Sequence, residues 1–273
     1  MPRVWWVGSG LGSTMPFHAA GIHARGSTAN AISRVVSSYT PSIKALAWSQ
    51  TRHSKMRNVS RGTFMMTTMP TTPGFKSLSG VTREKEEITA KVSRHIETQV
   101  LDLPDSQSVL KQLSQCSIAH FACHGMIDRQ DPSNSGLILR RTTEAEEGGV
   151  KIEQDRLTVR TISQMNLHCT SIAYLSACST AGIVEEDLAG EVIHMASGFQ
   201  VAGFPHVVGC LWNSDDSVCV QVASAFYERL FEVGNQNWTS RQVAMALREA
   251  MLAVRKEDMD MPLLWAPFVH YGA

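Results

Sequence analysis

Three short, continuous apolar runs, Ser117–Cys123, Ser171–Ser176 and Val207–Leu211, mark the second half of this chain. A strand apolar along its whole length must be covered on both faces, whereas a half-exposed strand alternates. Amphipathic stretches lie around the runs, at Thr158–Met165, Leu188–Ala202, Ser217–Val233 and Thr239–Arg255, and each reads as a helix. Doubly buried strands alternating with helices imply a mostly parallel sheet between two helical layers. Such sheets place their sites just beyond the carboxyl ends of the strands. Two of the three runs lead there into a residue able to do chemistry: His124 after the first, Cys178 after the second.

The first half gives weaker signals. Arg3–Val7 and Phe64–Met69 read as strands, and Ile43–Gln50 as a short helix after Pro41. Glu84–Val100 reads as one long helix, with Ile88, Val92, Ile96 and Val100 at four-residue spacing. Val109–Leu113 reads as a shorter helix, with Asp105 and Ser106 available to cap it. Residues 26–62 are rich in Ser, Thr and Arg, and the rest of that stretch has no clear periodicity. Thr142–Gly149 reads as an acidic surface hairpin or insertion, and Trp265–Val269 as a last strand. The expected organisation is a single domain over 1–273, with 1–110 as its N-terminal part and 111–273 as its core. A strand that begins within a few residues of the start suggests a piece of a longer protein.

Charge narrows the functional classes. Lys+Arg and Asp+Glu both number 25, so the formal net charge is zero and no basic footprint for nucleic acid is expected. No apolar run approaches the roughly 18 residues of a membrane span, so no membrane partner is expected. The apolar patch Val4–Val7 is too short for a signal peptide. Cys116, Cys123, Cys169, Cys178, Cys210 and Cys219 sit mostly in apolar runs, which suits free thiols in a reducing, cytoplasmic setting.

A cysteine nucleophile acts as its thiolate, and a neighbouring histidine can take the proton. Neighbouring strands ending in His124 and Cys178 would bring the two together. Gly125 lets a substrate backbone approach, and its N–H, with that of Cys178, can face a developing oxyanion.

The residues that carry this chemistry resemble a known family. Ile118-Ala-His-Phe-Ala-Cys-His-Gly125 resembles the histidine motif of CHAT domains, a caspase-like peptidase family named for its association with TPR repeats. Leu175-Ser-Ala-Cys-Ser-Thr180 resembles the cysteine motif, and Val207-Val-Gly-Cys-Leu-Trp212 with Asp215 and Asp216 the strand-plus-acid motif. Phe226-Tyr227, Leu263-Leu-Trp-Ala-Pro-Phe268, Pro16-Phe-His-Ala-Ala-Gly21 and Ser38-Tyr-Thr-Pro41 fit further segments, so the likeness runs over nearly the whole chain. The 54 residues from His124 to Cys178 are close to the spacing of about 50 found in caspases. The resemblance implies a caspase-like three-layer α/β/α sandwich and a Cys–His dyad. It also implies cleavage of specific protein substrates, in regulated cell death or defence, without a cofactor. A pocket for the residue before the scissile bond would draw on Ser176, Trp212, Asp215, Asp216 and Asp187. An acid there would pair with a basic side chain. The family also implies a TPR or other sensor module in longer relatives.

Cys178 alone would read as a buried structural thiol, and His120 as a packed, hydrogen-bonded histidine. Cys116, His120, Cys123 and His124 are close in sequence, but residues alternating across one strand do not converge on one metal ion. A catalytically silent domain that binds proteins through the same groove is the alternative to a peptidase. Thiol-reactive labelling of Cys178 separates the two.

Overall fold

The computed structural model describes residues 1–56, 62–128, 130–144, 149–176, 189–232, 238–257, 259 and 261–273, with the side chains of 11 and 189–194 outside the description. Its strands are β1 (Arg3–Trp6), β2 (Val36–Tyr39), β3 (Thr63–Thr68), β4 (Thr98–Asp102), β5 (Cys116–Ala122), β6 (His124–Met126), β7 (Gly136–Glu144), β8 (Val150–Thr158), β9 (Ile172–Leu175), β10 (His206–Cys210) and β11 (Phe268–Gly272). Its helices are α1 (Ala31–Arg34), α2 (Ile43–Met56), α3 (Gly80–Val92), α4 (Ser106–Leu113), α5 (Val159–Ser163), α6 (Ala189–Ala202), α7 (Asp216–Glu232), α8 (Ser240–Glu257) and α9 (Pro262–Trp265).

Eight strands form the central sheet, in the order β1-β2-β11-β10-β9-β5-β3-β4. Every neighbouring pair is parallel except β10 with β11. The sheet is buried on both faces because its side chains alternate between two cores. On β3, Phe64 and Met66 join Ile118, Tyr174 and Val208 under α3, α7 and α8. Met65, between them, joins Ala119, Phe121, Ala173 and Val207 on the other face, with Phe199 of α6 and Val109 and Leu113 of α4. Each such Phe, Leu or Ile contributes about 1.5–3 kcal/mol by leaving water. The result is the three-layer α/β/α sandwich that the continuous apolar runs imply.

A second sheet, β6-β7-β8, is antiparallel and stands apart from the first. It bears on two expectations. The first apolar run does not carry through to His124: β5 ends at Ala122, and His124 opens β6 in the smaller sheet. The hairpin expected around Thr142–Gly149 is present as the antiparallel pair β7–β8, and the strand Val150–Thr158 within it was not expected; 145–148 lie outside the described residues.

The long helix expected over Glu84–Val100 ends at Val92. Thr98–Asp102 instead pairs parallel with β3, because Thr98, Val100 and Leu101 suit a strand once a neighbouring edge is available. Ile88 and Val92 remain on the buried face of α3. Asp105 does cap α4, accepting from Ser108 N at 2.7 Å. In the 26–62 stretch, Val36–Tyr39 forms an internal strand of the main sheet.

Candidate active site

Parallel neighbours β3, β5, β9 and β10 end on one edge of the sheet. Beyond that edge, the chain leaves β5, turns at Cys123 and enters β6 with His124, which is only 2% exposed. His124 Nε2 lies 2.7 Å from Lys76 O. A carbonyl only accepts, so Nε2 carries the hydrogen, and Nδ1 is the nitrogen that takes a proton when the ring is neutral. The Phe75 ring stacks on the imidazole at 4.9 Å between centroids and 28° between planes. Both contacts come from the segment linking β3 to α3, which clamps the ring. Gly125 pairs with Leu137 across the β6–β7 ladder.

Cys178 and Asp187 lie outside the described residues. Ser176, the last described residue before them, holds its strand end in place by donating N–H to Phe121 O at 2.9 Å. Its hydroxyl donates to Glu84 Oε1 at 2.6 Å. Glu84 stands on the first turns of α3 and also accepts from His120 Nε2 at 3.2 Å. His120 Nδ1 meets Tyr227 Oη at 3.1 Å, and its ring stacks on Tyr174 at 4.9 Å. One carboxylate thus ties α3 to β5 and to the end of β9. Burial, reinforced by the Glu84 charge, raises Tyr174 and Tyr227 well above the usual phenol range, so both keep their hydroxyl protons.

Glu84, Ser176, Ser214 and Asp216 share the lining of one small pocket. Asp216 Oδ2 accepts from Gly80 N at 3.3 Å and Ser79 Oγ at 3.4 Å. Gly80 permits this approach: a Cβ there would come within 2.9 Å of Asp216 Cβ. The structure therefore brings Ser176 and Asp216 together. It sends two other expected pocket residues elsewhere. Asp215 accepts from Ser217 N at 2.8 Å at the start of α7, and hydrogen bonds from Ser217 hold its carboxyl below the usual range. Trp212 donates Nε1–H to Leu263 O at 3.1 Å and packs against both cores.

Cys116, Cys123, Cys169, Cys210 and Cys219 are unbridged thiols. Burial pushes the Cys116 thiol up to about 12, which makes it inert. Cys169 and Cys219 are only half-buried, and Cys219 lines the pocket. His120 is the packed, hydrogen-bonded residue expected for a core histidine. Among the described residues no His, Cys, Asp and Glu side chains converge as a metal site requires.

Sequence reasoning missed Glu84, Lys76 and Phe75. A signal for Glu84 existed. Val81, Glu84, Ile88 and Val92 are the buried residues of α3, so an acid stands in phase with an apolar stripe. No such signal existed for Lys76, which contributes a backbone oxygen.

Comparison with known proteins places this geometry in context. The profile of the CHAT domain family matches residues 1–273. No curated protein matches the chain. Among solved structures, the Saccharomyces cerevisiae separase in its securin complex is similar, with a TM-score of 0.59 at 14% identity over 99% of this chain and 16% of that one. The Arg-specific cysteine proteinase gingipain R is similar over 87% of this chain and 54% of that one, with a TM-score of 0.54 at 12% identity. A complex of Porphyromonas gingivalis RgpB pro- and mature domains matches with a TM-score of 0.53 at 11% identity, over 87% of this chain and 55% of that one. The chain spans about a sixth of the separase and about half of the gingipain.

Proposed function

The chain belongs to the CHAT domain family, and from that premise we propose that it is a cysteine endopeptidase with Cys178 as nucleophile and His124 as base. The observation that carries this reading is a matter of register. Phe121 and Leu175 are partners across β5 and β9. His124 follows Phe121 by three residues, and Cys178 follows Leu175 by three. Equal separation from a paired position on adjacent strands supports the reading that the two act at the same edge of the sheet. There, the contacts of Lys76 and Phe75 orient His124 with Nδ1 as its basic nitrogen.

In the proposed reaction, Nδ1 of His124 takes the Cys178 proton and the thiolate sulfur bonds to the scissile carbonyl carbon. The N–H groups of Gly125 and Cys178 receive the charge that develops on the carbonyl oxygen. The C–N bond breaks as His124 returns the proton to the leaving amine. His124 then deprotonates water, which attacks the thioester and releases the acid and the thiol. The substrate is a protein, cut in a regulated death or defence response in the cytoplasm, and partner modules control access. Among the described residues no helix is long and apolar enough to cross a membrane.

Cleavage of a diverse peptide library by the wild type, Cys178→Ala and His124→Ala tests the reading. Each substitution is expected to lower kcat/KM by about 1,000-fold or more. Equal cleavage by wild type and Cys178→Ala would overturn it. A wild type that neither cuts nor reacts at Cys178 with an electrophile would point instead to a silent protein-binding domain.

A further inference from the structure

We propose that the groove between α2 and α6 is a docking site for an acidic amphipathic helix of a partner protein. None of the residues that line it belongs to the candidate active site, so the docking site is independent of the peptidase reading.

The zero net charge hides a division along the chain. Residues 1–83 contain ten Lys and Arg and not one Asp or Glu, so all 25 acids fall at Glu84 or beyond. A block of one sign attracts partners of the other sign. Three of the ten, Lys44, Arg52 and Lys55, stand on α2, which carries no acid. Elsewhere surface lysines and arginines find carboxylates: Lys85 pairs with Asp102, Lys91 with Glu228, and Arg160 with Asp131. Lys44 and Lys55 are exposed, and neither forms an ion pair with a described carboxylate. Three helical turns separate them, about 16 Å, so both project from the same side of α2.

The surface between the two lysines is apolar. Lys44, Trp48, Thr51 and Lys55 follow one another at helical spacing and form a single stripe. Trp48 is 50% exposed, and Val201 on α6, which shares the groove with it, is 57% exposed. The groove measures about 560 Å³, and Ala45 and Ala47 leave room for another backbone to come close. Hydrogen bonds hold it in shape. Trp48 Nε1 donates to Gln200 O at 3.4 Å, and Gln200 Nε2 donates to Ser49 Oγ at 3.1 Å. The Arg52 guanidinium lies 5.8 Å from the centre of the Trp48 ring and donates to Leu167 O. A fixed, exposed tryptophan beside an exposed valine is the centre of an interface rather than a solvated face.

A trough between two neighbouring helices accepts a third helix, whose side-chain ridge fills it. An apolar stripe on that helix would meet Trp48 and Val201, and Asp or Glu on its flanks would meet Lys44 and Lys55. Nucleic acid fits less well. Lys44 is the only charged residue lining the groove, and an apolar wall offers nothing to a row of phosphates.

The test uses the Cys178→Ala chain, so that no probe is cut. A displayed library of helical peptides of about 18 residues, long enough to hold a helix, has Leu along one stripe and every other position randomised. Selected peptides are measured by fluorescence anisotropy. They are expected to carry more Asp and Glu than Lys and Arg. Val201→Glu, at an exposed position of α6, is expected to weaken them by at least about tenfold. Lys44→Glu combined with Lys55→Glu is expected to weaken them by a similar factor and to flatten their salt dependence. Thr51→Glu, on the same stripe, replaces Val201→Glu should that variant not fold. A selection that yields no binders, binders without an acidic excess, or binders indifferent to a folded groove variant overturns the proposal. Duplex DNA that displaces the peptides and loses affinity in Val201→Glu would assign the groove to nucleic acid and overturn it as well. Sedimentation of the chain alone that shows dimers abolished by Val201→Glu would assign the groove to a second copy, with the same consequence. Failure of the peptidase reading leaves each of these outcomes unchanged.

Discussion

His120 and the pair His206 and His270 are buried in the same eight-stranded sheet, yet their surroundings handle an imidazole in opposite ways. His120 lies between a carboxylate, Glu84, and a phenol, Tyr227, in a network that reaches a pocket near the carboxyl edge. His206 and His270 lie in a line of hydrogen bonds that begins at a guanidinium. Arg3 donates to Ser38 Oγ at 3.0 Å, and Ser38 Oγ hydrogen-bonds His270 Nδ1 at 2.8 Å. His270 Nε2 hydrogen-bonds His206 Nδ1, and His206 Nε2 hydrogen-bonds His53 Nδ1, each at 3.0 Å. Burial and the neighbouring positive groups favour the neutral forms of His206 and His270. The line staples β1, β2, β11, β10 and α2 together. One network is built around a carboxylate that lines a small pocket. The other is built around a fixed positive charge and only holds strands. The residue type is the same; the partners assign the role.

The largest expected effect that could break this contrast is on pH. Burial, then the nearby positive groups, holds His206 and His270 well below the usual histidine value, with Arg3 and His53 facing both and His270 also facing His206. His18, against the Tyr39 hydroxyl and near His23, is lowered to about 4 by burial. The unfolded chain titrates these groups near 6.5 and so binds more protons than the folded one below that pH. Their contribution is therefore full above about pH 6.5 and declines as pH falls, by about 1.4 kcal/mol per pH unit for each. Urea unfolding at pH 7.5, 6 and 5 should show a steep loss, and a flat profile would contradict the neutral line.

Next in size, His206→Ala at pH 7.5 should cost about 3–4 kcal/mol, from a cavity and two stranded partners. A loss under about 1 kcal/mol would mean that the line merely fills space. Tyr227→Phe removes only the hydroxyl that satisfies His120 Nδ1 and should cost about 1 kcal/mol. Adding the mutation to Glu84→Gln should give less than the sum of the two if they share a network. The smallest effect belongs to a control. Lys91 and Glu228 form an ion pair at 2.5 Å with both side chains partly exposed, so Lys91→Ala should change stability by less than about 1 kcal/mol.

Much of the architecture was legible because its signal is local. The runs at Ser117–Cys123, Ser171–Ser176 and Val207–Leu211 are mostly apolar, without the alternation of a half-exposed strand, and β5, β9 and β10 appear within a residue or two of each. The helices α7 and α8 follow from spacing, as Val243, Ala246, Leu247, Ala250 and Val254 show. The failures share a cause. Val100 continued a four-residue period and still became a strand, because β3 offered an edge that periodicity cannot reveal. The hairpin around Thr142–Gly149 was legible, but its second strand β8 was hidden by exposed, polar residues that bury little. Within the site, His124, Ser176 and Asp216 were legible as chemistry-bearing residues next to strand ends. Asp215 and Asp216 are indistinguishable in sequence; only the start of α7 turns one toward its own helix and the other toward Gly80.

The sequence by itself determined the doubly covered parallel sheet and the family, because both are written in runs of neighbouring residues: apolar continuity and ordered motifs. Tertiary structure alone decided which polar groups meet. Glu84 reaches Ser176 across 92 residues and His120 across 36, and His206 reaches His53 across 153. Hydrogen bonds act over about 3 Å in space with no regard for separation along the chain, so the partners that give each buried charge its role emerge only when the sheet has closed.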